Sequence, residues 1–190
     1  MVSSSVFIST IIVLLFSPLI FGEDLKKLYE VQVQKEFLAS NTYLTFAHRL
    51  ATRGVYHGFA DFFFDSAIEE RAHGKKLLDF YNVRNRELLF KDVKVDETAA
   101  TMEDLTKMIQ AAEYMERQVY DNLIEVRLAA HIEKDYPTVH FIESQMLEEQ
   151  TTALKYMYDL VKRIERNSDN STILLQMMDQ DLRKKQVKKP

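Results

Sequence analysis

Six polar side chains stand inside stretches that otherwise read as apolar stripes: Glu36 and Tyr43, Glu70 and His73, Glu116, and Gln150. Residues seven apart on a helix lie nearly over one another, so Glu36 and Tyr43 share a face. Glu70 and His73 are an i, i+3 pair, adjacent on a helix surface and able to converge on one ion. A buried carboxylate is costly unless it is paired or coordinates a metal. Four helices that each bury such groups at similar depth therefore point to one shared metal centre. Carboxylate with imidazole suits iron, manganese or zinc, and a chain without cysteine offers no thiolate for softer metals.

The elements that must position these groups are long helices. Only 4 Gly and 3 Pro stand against 46% hydrophobic residues, a poverty of turn formers that favours helix over sheet. At 190 residues the chain most naturally builds one domain. The first helix is expected over roughly Asp24 to Arg53, with Leu25, Tyr29, Gln32, Glu36, Ala39, Tyr43, Phe46 and Leu50 on one face and Gly54 as its stop. The second is expected over roughly Gly58 to Tyr81, with Phe59, Phe63, Ala67, Glu70, His73, Leu77 and Phe80. Asn82 to Met102 has no helical period and is longer than a helical hairpin needs. A link of that length can run the full bundle and leave the helices on either side parallel. The third helix is expected over roughly Met102 to Glu133, capped by Thr101 with Asp104 three residues on. The fourth is expected over roughly Pro137 to Arg166, with Val139, Ile142, Met146, Gln150, Ala153, Met157, Leu160 and Ile164 facing inward. A short fifth helix, roughly Ser171 to Lys184, is followed by a loose basic tail to Pro190.

In helical bundles the recurrent di-iron arrangement takes one Glu from each of two helices and a Glu-x-x-His from each of the other two. Here Glu36 and Glu116 are the single carboxylates, and Glu70-Arg71-Ala72-His73 is one Glu-x-x-His. The fourth helix reads Gln150-Thr151-Thr152-Ala153 instead. The second metal position thus loses an anionic and a nitrogen ligand. Such a centre should hold one ion well and the other poorly, which suits a site through which iron passes as substrate. Taken singly, each residue has an ordinary reading: Glu36 as a solvated helix residue, Glu70 as part of a surface charge cluster, His73 as a core histidine, Tyr43 as core, Gln150 as a bonded interior amide. Their joint interruption of four stripes favours the metal site.

At these residues the chain resembles the ferritins, of the heavy-chain, ferroxidase-competent type. The likeness is carried by Lys35-Glu36-Phe37-Leu38-Ala39-Ser40 with Tyr43, by Glu69-Glu70-Arg71-Ala72-His73, by Met115-Glu116-Arg117, and by Phe141-Ile142-Glu143 leading to Glu149-Gln150. It implies an all-α, ferritin-like four-helix bundle with one long crossover and a short fifth helix. It also implies Fe(II) oxidation by dioxygen and storage of ferric mineral in a hollow cage of twenty-four like subunits, open to mixing with a second subunit type. Glu36 and His73 would bind the first iron, Glu70 would bridge both, and Glu116 would bind the second. Gln150 would support a bound water or oxygen species, and Tyr43 would hydrogen-bond from outside the ligand set. Two departures stand out. Glu69 remains on the cavity face of the second helix as a nucleation or transit residue, but Ala72 and Lys75 stand where further carboxylates are common. The family's three-fold channel, usually an Asp and a Glu three residues apart, reads His140 and Glu143, with a pH-dependent charge at the imidazole.

A net charge of −4 gives no footprint for nucleic acid. The first 22 residues carry no charged side chain, and Val6 to Phe21 is an apolar run ahead of Gly22 and Glu23. It reads as a secretory signal peptide cut near Gly22, being short for a membrane span. The mature chain is then expected to be secreted or in the secretory pathway, clear of the membrane, with a bundle over 23–166 and the fifth helix and tail over 167–190. Asn170-Ser171-Thr172 is a glycosylation sequon, pertinent only in a secreted chain. Three rivals remain: a non-catalytic iron carrier or shell subunit, a di-iron oxidase acting on an organic substrate, and a membrane-anchored helical protein that keeps residues 1–22.

Overall fold

A computed structural model describes residues 18–89, 91–167 and 171–186. Its elements are α1 (Pro18–Arg53), α2 (His57–Val83), α3 (Glu97–Thr101), α4 (Leu105–Ile132), α5 (Tyr136–Ile142), a π-helical turn (Glu143–Leu147), α6 (Glu148–Glu165) and α7 (Ser171–Gln186). The described residues contain no strand, so the chain forms an all-α bundle with a short C-terminal helix, as expected. The expected signal segment lies outside the described residues except for the helical backbone of 18–22, and Asn170 also lies outside them. Among the described residues no helix is long and apolar enough to cross a membrane.

Local chemistry sets the helix ends. Gly54 adopts φ 66° and closes α1, with its N–H on the Ala51 carbonyl (3.1 Å) and that of Val55 on Leu50 (3.3 Å); this paired bonding satisfies carbonyls the helix leaves free. The same pattern closes α2 at Asn85 (φ 53°), past its expected end at Tyr81, and α4 at Lys134 (φ 61°), directly after its expected end at Glu133. The third long helix starts later than its expected Thr101 cap. Met102 is extended, and the Asp104 side chain accepts from the Lys107 N–H at 3.1 Å, so α4 begins at Leu105. Thr101 instead ends α3, its hydroxyl donating to the Glu97 carbonyl. α7 runs on to Gln186, past the expected Lys184, since no Gly or Pro interrupts it and basic residues suit a helix C-terminus.

The fourth long helix is not one α-helix but α5, the π turn and α6. Over eight α-helical residues Ile142 and Gln150 would point about 80° apart. Widening one turn lets both face inward, at 0% and 2% exposure.

The crossover lies along α1. The Leu89 N–H donates to Glu30 Oε1 (2.9 Å) near one end, and the Arg49 Nε donates to the Ala100 carbonyl (2.7 Å) near the other. Nineteen helical residues separate those anchors, about 28 Å of rise, so α2 and α4 run parallel. α1 packs on α2 and α4, and α4 on α6, while α7 lies across α2. The core divides into two apolar clusters. One includes Phe46, Leu50, Phe59, Phe63, Met108 and Leu160; the other includes Leu25, Tyr29, Leu77, Leu123, Val126 and Ile142.

α7 is seated on the start of α2. The N-terminal flank of α2, Tyr56, offers no capping side chain, and Asp179 of α7 supplies one by accepting from the Phe59 N–H at 2.9 Å. The helices touch so closely there that a Cβ on Gly58 would stand 2.1 Å from the Asp179 carbonyl oxygen. Gly58→Ala is therefore expected to destabilise the fold by about 1–3 kcal/mol, and Asp179→Ala by about 1 kcal/mol. Thermal denaturation of the two variants measures both, and unchanged melting would show that α7 docks elsewhere.

Candidate metal centre

The polar layer sits between the two apolar clusters. α1 brings Glu36 and Tyr43, α2 brings Glu70 and His73, α4 brings Glu116, and α6 brings Gln150. All but His73 are buried. The structure thus brings together every residue that the interrupted stripes pointed to.

Glu36, Glu70 and His73 each offer a ligand atom, and these atoms lie within 4.8 Å of one another. His73 Nδ1 is 3.9 Å from Glu36 Oε2 and 3.5 Å from Glu70 Oε2. These three atoms are buried and have no hydrogen-bond partner. Buried polar atoms in native proteins are nearly always partnered, and here three point at one another. A divalent ion with bonds of about 2.0–2.2 Å to oxygen and nitrogen would satisfy all three.

The other face of Glu36 and of His73 is held. Glu36 Oε1 accepts from Gln32 Nε2 at 2.7 Å, and Gln32 Oε1 accepts from Asn122 Nδ2 at 2.7 Å. His73 Nε2 lies 2.9 Å from Glu149 Oε2, whose carboxylate also takes Lys76 Nζ at 3.2 Å. Burial pushes the Glu149 carboxyl up, but Lys76 and His73 outweigh it and hold it below the usual range. An ionised carboxylate only accepts, so Nε2 carries a proton, and in the neutral ring Nδ1 turns its lone pair toward Glu36 and Glu70. Glu116 differs: Tyr43 donates to its Oε1 and Gln150 Nε2 to its Oε2. Two hydrogen bonds already occupy the carboxylate assigned to the second ion.

Electrostatics follow from burial. Burial, then the charge of Glu70, raises the Glu36 carboxyl well above its ordinary range. Burial, then Glu116, raises Glu70; burial raises Glu116 against the hydrogen bonds from Tyr43 and Gln150. The Tyr43 phenol is likewise pushed up by burial and by Glu116. Burial thus favours the protonated form of these carboxyls, and a cation bound here competes with those protons.

A cleft of about 720 Å³ between α2 and α6 reaches this layer, with exposed Glu69, Glu148 and Glu149 at its mouth and buried Glu70 and Glu116 on its floor. Glu69 thus lines the cleft that leads to the centre. His140 and Glu143 are exposed on α5 and the π turn, outside the centre, with Glu143 paired to Arg127 at 2.7 Å. Reading stripes missed three contributors. Gln32 lies in the stripe one turn before Glu36, a signal that was there to use. Asn122 and Glu149 flank the stripe residues Leu123 and Gln150, and only the packing shows what they touch.

The chain as a whole is similar to known proteins. A family model described as ferritin-like domain matches residues 26–167. The ferritin middle subunit of Salmo salar is 30% identical over 145 residues, covering 76% of this chain and 82% of that protein. The bacterial non-heme ferritin of Staphylococcus haemolyticus is 30% identical over 159 residues, covering 81% and 91%. Among solved structures, an iron-soaked PmFTN variant superposes with a TM-score of 0.75 at 23% identity, covering 83% of this chain and 97% of that one; at that identity it speaks for the fold.

The raised carboxyls determine how the centre responds to pH. A carboxyl that titrates higher in the folded protein than its ordinary 4.5 stabilises the fold below that range. That contribution is lost as pH rises through the raised value. A bound cation replaces the protons, so Zn(II) is expected to raise the melting temperature more at about pH 8 than at about pH 6. At a hundred times its dissociation constant the gain is about 2.7 kcal/mol, and Glu70→Gln should shrink it. An equal gain at both pH values would show that protons do not compete for the site.

Proposed function

The chain belongs to the ferritin family, and from that premise we propose that it is a ferroxidase subunit of the heavy-chain type. In this reading it oxidises Fe(II) with dioxygen inside the bundle and delivers ferric product for storage in a multi-subunit cage. The observation that carries the reading is the convergence of Glu36 Oε2, Glu70 Oε2 and His73 Nδ1, buried and unpartnered. A shell subunit without chemistry has no use for three desolvated ligand atoms aimed at one point.

The two iron positions are unequal. The first is bounded by Glu36, Glu70 and His73, whose bare atoms need no rearrangement. The second uses Glu70 and Glu116, and Glu116 must give up a bond to Tyr43 or Gln150 before it can ligate. Each Fe(II) surrenders one electron, so two adjacent ions reduce one dioxygen by two electrons where a single ion cannot. The weakly held second ion lets oxidised iron leave, and the α2–α6 cleft with Glu69 at its mouth is the route.

The exposed side of α2 supports a mixed cage. Lys75 pairs with Asp79, and Ala72 adds no charge, so α2 itself adds few carboxylates on the exposed side beside Glu69, whose exposed acidic neighbours Glu148 and Glu149 come from α6. Mineral nucleation would then depend on a second subunit type. The His140–Glu143 pair belongs to the same proposal as a channel between subunits, and the apolar run Val6 to Phe21 supports secretion, tested by sequencing the N-terminus of the exported protein.

Stopped-flow mixing of Fe(II) with air-saturated protein tests the chemistry. Glu70→Ala with His73→Ala is expected to bring oxidation down to the protein-free rate while size exclusion shows the assembly unchanged. Rapid oxidation in the double variant would remove these residues from the site. Iron co-eluting with a large assembly, at more than two per subunit, supports storage; two or fewer on a small species would favour a di-iron oxidase.

A further inference from the structure

Glu36 is the ligand whose far side is held wholly inside the bundle. The Leu28 main-chain carbonyl accepts from Asn122 Nδ2 at 3.2 Å, and the same nitrogen donates to Gln32 Oε1 at 2.7 Å. Gln32 Nε2 then donates to Glu36 Oε1 at 2.7 Å. Gln32 is 0% exposed and Asn122 5%, so the links are shielded from bulk water.

The direction of this chain follows from its anchor. A carbonyl oxygen only accepts, so Asn122 must turn its nitrogen toward Leu28 and Gln32. Gln32 must then answer with its oxygen, which leaves its nitrogen facing Glu36. Reversing the Gln32 amide would set its nitrogen against that of Asn122 and its oxygen against the carboxylate, leaving buried donors and acceptors unmatched. At Glu36 the result is one oxygen held by a donor and one left bare toward His73.

We infer that Gln32 and Asn122 are positioning residues for metal loading, a buried amide relay from the Leu28 carbonyl that aims Glu36 Oε2 at the first metal position. The inference rests on the ferroxidase reading and deepens it. Neither amide touches the ion; each acts through the next. Because Asn122 belongs to α4 and Gln32 to α1, the relay ties the aim of the ligand to the packing of those two helices. His73 is oriented from the open cleft by Glu149, half exposed, so the Glu36 side is the more rigid half of the site.

Co(II) titration of the purified full-length protein, followed by its visible absorption, tests the relay without redox turnover. Gln32→Leu removes the donor and is expected to weaken the tighter binding step by about 10–100-fold, with a changed spectrum for that step. Asn122→Asp keeps the shape but offers only acceptors, which turns the Gln32 nitrogen away from Glu36, and should weaken the same step. Asn122→Leu carries the test through the next link where Gln32→Leu folds poorly. In a Gln32→Leu background Asn122→Leu should add no further loss in affinity, because the link it breaks is already severed. Folded Gln32→Leu protein with an unchanged tight step, or losses that simply add, would overturn the relay. Wild-type binding that Glu36→Gln leaves untouched would overturn the metal-centre reading itself, and the relay with it.

Discussion

The burial of Glu36, Glu70 and Glu116 in one layer is the constraint around which the molecule is built. Desolvation costs several kcal/mol for each ionised group in real proteins, and neighbouring carboxylates add their repulsion. The fold offsets this in two ways. Apolar clusters above and below the layer supply the burial energy, which is why the helices must be long. Within the layer, Gln32, Tyr43 and Gln150 donate hydrogen bonds, burial favours the protonated carboxyls, and a cation can compete with those protons.

The distribution of those donors divides the layer. On the side of Glu36 and His73 the hydrogen bonds come from behind, leaving ligand atoms bare. On the side of Glu116 they come from the front, through Tyr43 and Gln150. A complete second Glu-x-x-His would have placed a carboxylate and an imidazole where Gln150 and Ala153 now stand. The proposed passage of iron as substrate depends on this inequality, since a centre that binds both ions equally well would keep its product.

Several structural details serve the layer from a distance. The π turn rotates α6 so that Gln150 faces Glu116. The crossover, pinned to α1 at Glu30 and Arg49, lets α4 start at the end of the bundle where α2 starts, so that Glu116 reaches the depth of Glu70. The loose fourth side, between α2 and α6, leaves a cleft to the ligands rather than a sealed core.

Much of this was legible in the chain. Stripes spaced by threes and fours, broken at Glu36, Glu70, Glu116 and Gln150, determine the helices, their inward faces and the depth of the polar layer, because helical period is a local property. Gly54 marks a helix end for the same reason, being free to adopt the left-handed turn. The end of α4 falls directly before the expected turn at Lys134, but the left-handed turn at Asn85, past the expected end at Tyr81, was not legible. Nor was the π turn, which trades local hydrogen bonding for the packing of Ile142 and Gln150. Only the tertiary structure could decide which atom of each ligand is left bare. That choice belongs to Asn122, Gln32 and Glu149, which lie on different helices or different turns from the groups they orient, and a hydrogen bond between helices leaves no period in the sequence.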